Sequence, residues 1–356
     1  MTENKFSTAQ LYSQNILKKV SFLVLLSILL FALVLGSLCI GASSTGFIQA
    51  VKLFFSFLPF FGHVDMDAVI IIMDLRLPRV LMAVIAGFGL GVSGVVMQGL
   101  LRNPLVSPYT LGVSSGAACG AAFFIVYGFN FAVIMKFSMI LTAFVFSITS
   151  IFVVYLIAGL KATSSETLIL AGIAISYLFS ALISSFKYFS SSEDLREIVF
   201  WILGSLQAIK IEDVYIVFPV ISAASIFLYR LSWDLNIMGA GEDVAKSLGV
   251  NTKILRFLGL LLSALITASI ISFTGIIGFI GLMAPHFCRL LFGHDHRFLF
   301  PGAGLIGSIL LLASDTVSRI IMAPTEIPIG ITTAFIGIPF FLFLLISRRR
   351  RKWQQN

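Results

Sequence analysis

The sequence predicts an all-α membrane protein, and three observations support that class. Its mean hydropathy is +1.04, and 58% of its 356 residues are hydrophobic whereas only 11% are charged. Soluble domains keep roughly a quarter of their residues charged, so a soluble fold of this length has too little core for so much apolar side chain. The apolar residues also fall into runs of about twenty, the length that a helix needs to cross a bilayer.

About ten such runs are predicted to span the membrane as one domain over residues 1–356. In chain order they cover 20–40, 80–100, 111–127, 137–160, 168–186, 214–229, 257–273, a run that begins at 275, then 302–318 and 327–346. The first run is too long for the apolar core of a signal peptide, so it is expected to remain as a span. The apolar segment 47–61 is left out of the count, because Lys52, Pro59 and its short length favour an interfacial position.

The distribution of positive charge predicts the orientation. Although the net charge is +8, the basic residues collect at the ends of apolar runs and form no stripe with interleaved aromatics, so nucleic acid is not an expected partner. Ten spans place both termini on one side, and that side holds sixteen of the 24 lysines and arginines. Because positive loops stay in the cytoplasm during insertion, both termini are expected to be cytoplasmic.

The eighth run opens the segment GIIGFIGLMAPHFCRLLFGHDHRFLFP (275–301). Gly275, Gly278 and Gly281 are spaced at i, i+3 and i+6, which predicts a helix that packs closely against its neighbours through small residues. The segment ends in a polar corner that contains His286, Cys288, His294 and His296. No metal site is predicted there, because the intervening proline and glycine place these groups in different local structures.

Two polar interruptions predict short helices outside the spans. Serines 190–192 precede Glu193 and Asp194, a good N-terminus for a helix over 193–206 that is too short to cross. The second interruption contains GAGEDVAKSLGV (239–250), which predicts one or two short helices. Its apolar residues Val244, Ala245 and Leu248 are expected on one face, and such a face needs something to contact.

Ionisable residues near the spans indicate no catalytic or ion-coupling chemistry. The sequence has no GxxxxGK[ST] and no HExxH motif, so the chain is not predicted to be an enzyme. Asp315 is the best candidate for a proton site inside a span, but Arg319 follows at i, i+4 and explains it as a helical pair. Arg76, Arg79 and Arg319 fall on the outer side, where they either anchor lipid headgroups or meet an acidic partner.

Five segments resemble the FecCD permease family, which comprises membrane subunits of ABC importers for iron–siderophore complexes, haem and cobalamin. They are DLRLPRVL (74–81), GVSGVVMQGLLRNPLVSPYTLGVSSGA (91–117), GEDVAKSLGV (241–250), GFIGLMAPHFCRLLFGHDHR (278–297) and EIPIGITTAFIGIPFF (326–341). The resemblance implies a homodimer, two cytoplasmic ATPase subunits that bind ATP and Mg²⁺, and an extracytoplasmic solute-binding protein. It implies no cofactor in this chain.

The same resemblance implies roles for particular residues. Docking of acidic residues of the binding protein would involve Arg76, Arg79 and Arg319. Coupling to the ATPase would involve Gly241, Glu242, Val244, Ala245, Leu248 and Gly249. The cytoplasmic gate would involve Asn103, Leu105, Ser164 and Ser165. The pathway would be lined around Ser184, Ser185, Tyr188 and Phe189, and the helix over 193–206 would gate its outer mouth.

Several functions remain open on the sequence. The preferred cargo is a ferric siderophore or haem, and the alternatives within the family are cobalamin and an oxyanion such as molybdate. An ion-driven secondary transporter would need a buried carboxylate or a broken-helix ion site. An intramembrane enzyme would have to use the histidine corner.

Overall fold

The computed structural model describes residues 8–40, 69–128, 132–159 and 164–353, and it contains thirteen α-helices and no strand within those ranges. The helices are α1 (Thr8–Cys39), α2 (Leu77–Leu100), α3 (Val113–Tyr127), α4 (Ala132–Gly159), α5 (Ser165–Phe189), α6 (Ser192–Leu203), α7 (Ile211–Arg230), α8 (Ser232–Ala240), α9 (Glu242–Ser247), α10 (Thr252–Thr274), α11 (Ile280–Phe292), α12 (His296–Ile320) and α13 (Ile329–Trp353). A π-helical turn, Ile71–Arg76, leads into α2. The predicted interfacial segment 47–61 lies outside the described residues.

The helix lengths confirm an all-α fold with about ten membrane helices. Seven helices in the described part of the chain are long and apolar enough to cross a bilayer, and three shorter apolar stretches accompany them: α3, α11 and the part Ile329–Phe343 of α13. Two short helices occupy the polar interruption before α10: α9 lies in the predicted segment 239–250, whereas α8 lies almost entirely before it. The chain is therefore a multi-pass membrane protein.

The centre of the bundle is the contact between α2 and α12. A Cβ added at Gly91 would lie 2.2 Å from the carbonyl oxygen of Ala303, so the two backbones touch there. The hydroxyl of Ser308 donates a hydrogen bond of 2.7 Å to the carbonyl oxygen of Val84 across the same contact. In lipid, helices gain little from hydrophobic burial against each other, and such close backbone approach supplies the packing energy instead.

The predicted helix beginning at Gly275 is wrong, because the chain breaks there. α10 ends at Thr274, residues 275–278 are not helical, and α11 begins only at Ile280. Gly275 has a φ of +67°, and a Cβ on it would lie 2.3 Å from the carbonyl oxygen of Trp201. Only glycine combines that backbone angle with that space, so this residue ends a helix and does not form part of a packing stripe.

Three chain segments meet at this break through their backbones. The amide of Ser205 donates to the carbonyl of Thr274 at 2.8 Å, and the amide of Ile329 donates to the carbonyl of Gly204 at 3.1 Å. The end of α6, the end of α10 and the start of α13 are thereby joined. The helix expected over 193–206 consequently ends at Leu203. Its predicted start is close to the observed one at Ser192, where the Ser191 hydroxyl oxygen caps the helix by accepting a hydrogen bond from the Asp194 amide.

Candidate translocation path and partner-binding sites

A cavity of about 430 Å³ opens between the chain that follows α2 and the first half of α5. It is lined by Asn103, Leu105, Val106, Thr110, Ile169, Ile173, Ser176, Tyr177 and Ser180. Asn103 shapes the rim, because its side-chain oxygen accepts a hydrogen bond of 3.0 Å from the Leu105 amide. Arg102, immediately before it, has a φ of +48°, in the left-handed region that non-glycine residues rarely adopt.

The four residues implied as the gate separate into two pairs. Asn103 and Leu105 line the cavity, whereas Ser164 and Ser165 stand at the start of α5 and are not among its lining residues. Ser164 has a local task, because its hydroxyl oxygen accepts a hydrogen bond of 3.1 Å from the Thr167 amide and caps the helix. The common constriction of all four residues stays a prediction.

One face of α5 continues from the cavity and is not covered by any of the residues that the structure describes. Ile175, Phe179 and Ile183 point into the bundle, while Tyr188 and Phe189 on the other side are 82% and 74% exposed. Ser184 and Ser185 share that exposed side, and their hydroxyls donate to carbonyl oxygens one turn back, Ser180 at 2.9 Å and Ala181 at 3.1 Å. A solute that touches this face meets aromatic surface and hydroxyls whose protons are already bonded.

The three arginines implied in docking are buried, and two of them, Arg79 and Arg319, form an internal ionic network. Arg76, Arg79 and Arg319 are only 6%, 8% and 3% exposed. Arg79 pairs with Asp315 at 2.8 Å and with Glu326 at 2.7 Å, and Arg319 pairs with Asp315 at 3.1 Å. The helical pair expected between Asp315 and Arg319 is therefore present, and a second arginine from α2 joins it.

Two of these arginines also hold the end of α1. Arg76 donates to the carbonyl oxygen of Leu38 at 2.8 Å, and Arg319 donates to the carbonyl oxygen of Ile40 at 3.0 Å. The last carbonyls of a helix have no partner within it and carry partial negative charge, so cationic donors stabilise them. The sequence predicts only that these basic residues lie on the outer side. In the structure they tie α1 to α2 and α12.

The segment implied in ATPase coupling forms a short projecting helix. α9 lies between Gly241 and Gly249, which have φ values of +137° and +85°. Val244 and Leu248 are 44% and 64% exposed, whereas Ala245 is fully buried. The three residues therefore do not form one exposed surface as expected: Val244 and Leu248, four residues apart, are exposed, whereas Ala245 at the edge of their face is buried against the rest of the chain.

A charged contact anchors this projection to the membrane helices. Glu242 accepts a hydrogen bond of 2.9 Å from Arg256 in α10 and forms a second ion pair of 3.2 Å with Lys246. The hydrogen bond from Arg256 is the main cause that holds the pKa of Glu242 below its usual value. The start of α9 is therefore held to α10 through Glu242, while the apolar side chains of Val244 and Leu248 remain exposed.

A profile of the FecCD transport family matches residues 28–347. The chain belongs to this family. This FecCD permease is 39% identical to an ABC transporter permease of Methanocaldococcus jannaschii over 96% of its length and 99% of that protein's. It is 37% identical to the hemin transport system permease HmuU of Yersinia pestis, over 92% of this chain and 96% of that one.

Other comparisons agree on the type of protein and differ on cargo. A relative from Halobacterium salinarum named for cobalamin import, BtuC, is 39% identical over 80% of this chain and 75% of its own. A solved structure described as an inward-facing metal-chelate type ABC transporter superposes with a TM-score of 0.80, at 36% identity over 92% of this chain and 99% of that one. This FecCD chain is therefore a permease subunit of an ABC transporter, and ATP hydrolysis belongs to separate subunits.

Glu326 is the network residue that the sequence analysis of this FecCD permease missed. It belongs to the family motif EIPIGITTAFIGIPFF, but nothing in the local pattern indicates that its carboxylate reaches Arg79, 247 positions earlier. Within the described residues, which include the histidine corner, no group of three or more His, Cys, Asp or Glu side chains is arranged to hold a metal ion.

Proposed function

We propose that two copies of this permease enclose a path for a bulky metal chelate, a ferric siderophore or haem, delivered by an extracytoplasmic solute-binding protein. The uncovered face of α5, continuous with the 430 Å³ cavity at Asn103 and Leu105, is the observation that supports it. A transport path must bind its solute weakly enough to release it. Serine hydroxyls bonded to their own helix and exposed aromatic rings fit that requirement.

The exposed tip of α9 is proposed as the contact for a cytoplasmic ATPase subunit. Val244 and Leu248 provide apolar side chains for a cleft in the partner, while Glu242 fixes the base of the helix to Arg256. ATP binding would move α9 and, through α10, change the width of the path. On this proposal both termini are cytoplasmic, and the nucleotide and Mg²⁺ are bound entirely by the partner.

The arginine network is proposed as the place where acidic residues of the binding protein dock. Because Arg79 is already paired with Glu326, a carboxylate of the partner would join an existing network. The ion-driven alternative gains no support from Asp315, because this carboxylate is paired with two arginines. A proton site needs a carboxylate that can take up and release its proton.

Co-purification from native membranes tests the assembly and the cargo together. The permease should bring down an ATPase subunit and a binding protein, and mass spectrometry with absorbance of the bound solute should reveal a ferric chelate or a haem. A corrin, or molybdenum without iron, would establish one of the family alternatives. Uptake by the permease alone in liposomes, driven by an ion gradient, would refute the proposal.

Two substitutions test the path itself. Leu105→Trp narrows the cavity and Asn103→Ala removes the hydrogen bond that holds its rim, so each should reduce uptake while the complex stays assembled. Leu156→Trp, on an exposed position of α4, is the matched control and should transport normally. Normal uptake by both cavity variants would exclude this cavity from the path.

A further inference from the structure

A polar bracket joins the helix that precedes the coupling segment to the cytoplasmic start of α12. Asn236, in the middle of α8, donates from its side-chain nitrogen to a carboxylate oxygen of Asp295 at 3.0 Å. Its side-chain oxygen accepts from the backbone amide of His296 at 2.8 Å and lies 2.8 Å from the Nδ1 atom of the same residue. One amide group therefore holds both the capping residue and the first residue of α12.

A second contact between the same helices flanks the amide. Asp295 caps α12 by accepting from the Arg297 amide at 3.1 Å, and it forms an ion pair of 2.7 Å with the Arg297 guanidinium. That guanidinium lies over the ring of Trp233, with its central carbon 4.4 Å from the ring centroid. Because Trp233 and Asn236 are three residues apart, they face α12 from the same side of α8.

The coupling segment thus has two attachments to membrane helices. On its C-terminal side, Glu242 pairs with Arg256 of α10. On its N-terminal side, α8 is held to α12, which packs along α2 at the centre of the bundle and ends at the ionic network around Arg319. A push on α9 can therefore reach both α10 and α12, provided that both attachments hold.

We propose that Asn236 is a positioning residue that transmits movement of the coupling segment to α12 through Asp295 and the His296 amide. This inference rests on the proposed function, since it presumes an ATPase acting at α9. Loss of the two hydrogen bonds that the Asn236 side chain makes should lower the fraction of molecules in which α8 and α12 move together by about 5- to 30-fold. ATP hydrolysis would continue, but the outer end of α12 would no longer follow it.

The experiment uses the permease assembled with its ATPase subunits in nanodiscs. Spin labels are placed at Phe200 in α6 and Ile320 at the end of α12, in a chain whose three cysteines are replaced by alanine. The distance between the labels is measured with and without ATP and vanadate, beside the rate of ATP hydrolysis. The native pair should change distance with nucleotide, and Asn236→Ala should lose most of that change while keeping hydrolysis.

A polarity swap separates transmission from a loss of local structure. Asn236→Asp alone places two carboxylates together and should behave like Asn236→Ala. Adding Asp295→Asn restores a donor opposite an acceptor and keeps an acceptor for the His296 amide, so it should recover part of the distance change although the ion pair with Arg297 is lost. Asp234→Asn, in α8 but outside the bracket, is the matched control and should behave like the native chain.

The outcomes distinguish this inference from the function on which it rests. A full distance change in Asn236→Ala, a failure of the swap to recover it, or a native α12 that does not respond to nucleotide would overturn the role of Asn236. A native chain that binds no ATPase subunit would overturn the proposed function and this inference together.

Discussion

Replacing Asp315 with asparagine tests the buried ionic network most directly. Asp315 is fully buried and lies between two guanidinium groups, with Arg79 at 2.8 Å and Arg319 at 3.1 Å. Asparagine has nearly the same shape, so the change removes the charge and leaves the packing. Two buried cations then face each other without the carboxylate that compensates them.

The expected loss is about 3 kcal/mol of unfolding free energy, the lower end of the 3–5 kcal/mol that follows from breaking a buried ion pair on one side. The lower end applies because Arg79 keeps Glu326 at 2.7 Å and Arg319 keeps the carbonyl of Ile40 at 3.0 Å. Equilibrium unfolding in mixed detergent micelles, followed by the fluorescence of the three tryptophans, measures the difference.

Two further variants decide whether the charge is the cause. Asp243→Asn changes a fully exposed carboxylate on α9 and should leave the transition where it is. Asp315→Leu combined with Arg319→Met removes both charges and should cost less than Asp315→Asn, because apolar side chains of similar volume replace a buried pair with little loss. An Asp315→Asn transition equal to the native one would refute the stabilising role of the network.

Three other changes test separate parts of the structure. Leu248→Asp should release the ATPase on purification while Leu195→Asp on α6 should not, and co-purification with both would exclude α9 as the contact. Gly275→Ala should destabilise by about 1–3 kcal/mol because its Cβ meets a backbone oxygen at positive φ. Gly278→Ala should be tolerated, since nothing lies within 4 Å, and equal unfolding of both would contradict the backbone junction. Burial alone would raise the pKa of Asp295, but the hydrogen bond from the Arg297 side chain lowers this pKa to about 2. The ionised Asp295 carboxylate therefore contributes about 2 kcal/mol to the free energy of unfolding above pH ~4, and this contribution is lost as the pH falls toward 2. Asp295→Asn should abolish that pH dependence of unfolding.

The network changes how the docking arginines can be tested. Charge reversal at Arg76, Arg79 and Arg319 would place acidic side chains against Asp315, Glu326 and the end of α1. Such a variant would lose the stimulation of ATP hydrolysis by the binding protein simply because it unfolds. Arg76→Lys keeps a cationic donor near the Leu38 carbonyl but changes the geometry offered to a partner. If the binding protein stimulates ATP hydrolysis less while the free energy of unfolding is unchanged, the result supports docking. Unchanged stimulation of ATP hydrolysis would count against a role for Arg76.

The sequence by itself determined the class and much of the local structure of this permease. Run length and charge spacing predict about ten membrane helices, because crossing lipid requires a continuous apolar helix whatever its neighbours are. The start of α6 and the position of α9 also follow from local residues, since capping groups and helix breakers act within one turn. The family motifs extend this to function, but not to a cargo.

Only the tertiary structure decided the positions that depend on distant partners. A glycine suits a packing stripe and a chain break equally, and Gly275 forms a break because the backbone at Trp201 passes within 2.3 Å of where its Cβ would be. Arg79 carries the same charge whether it faces water or a carboxylate, and its partner Asp315 is 236 residues away. Asn236 likewise gains its role from α12, 59 residues later, because a hydrogen bond forms only where folding brings donor and acceptor together.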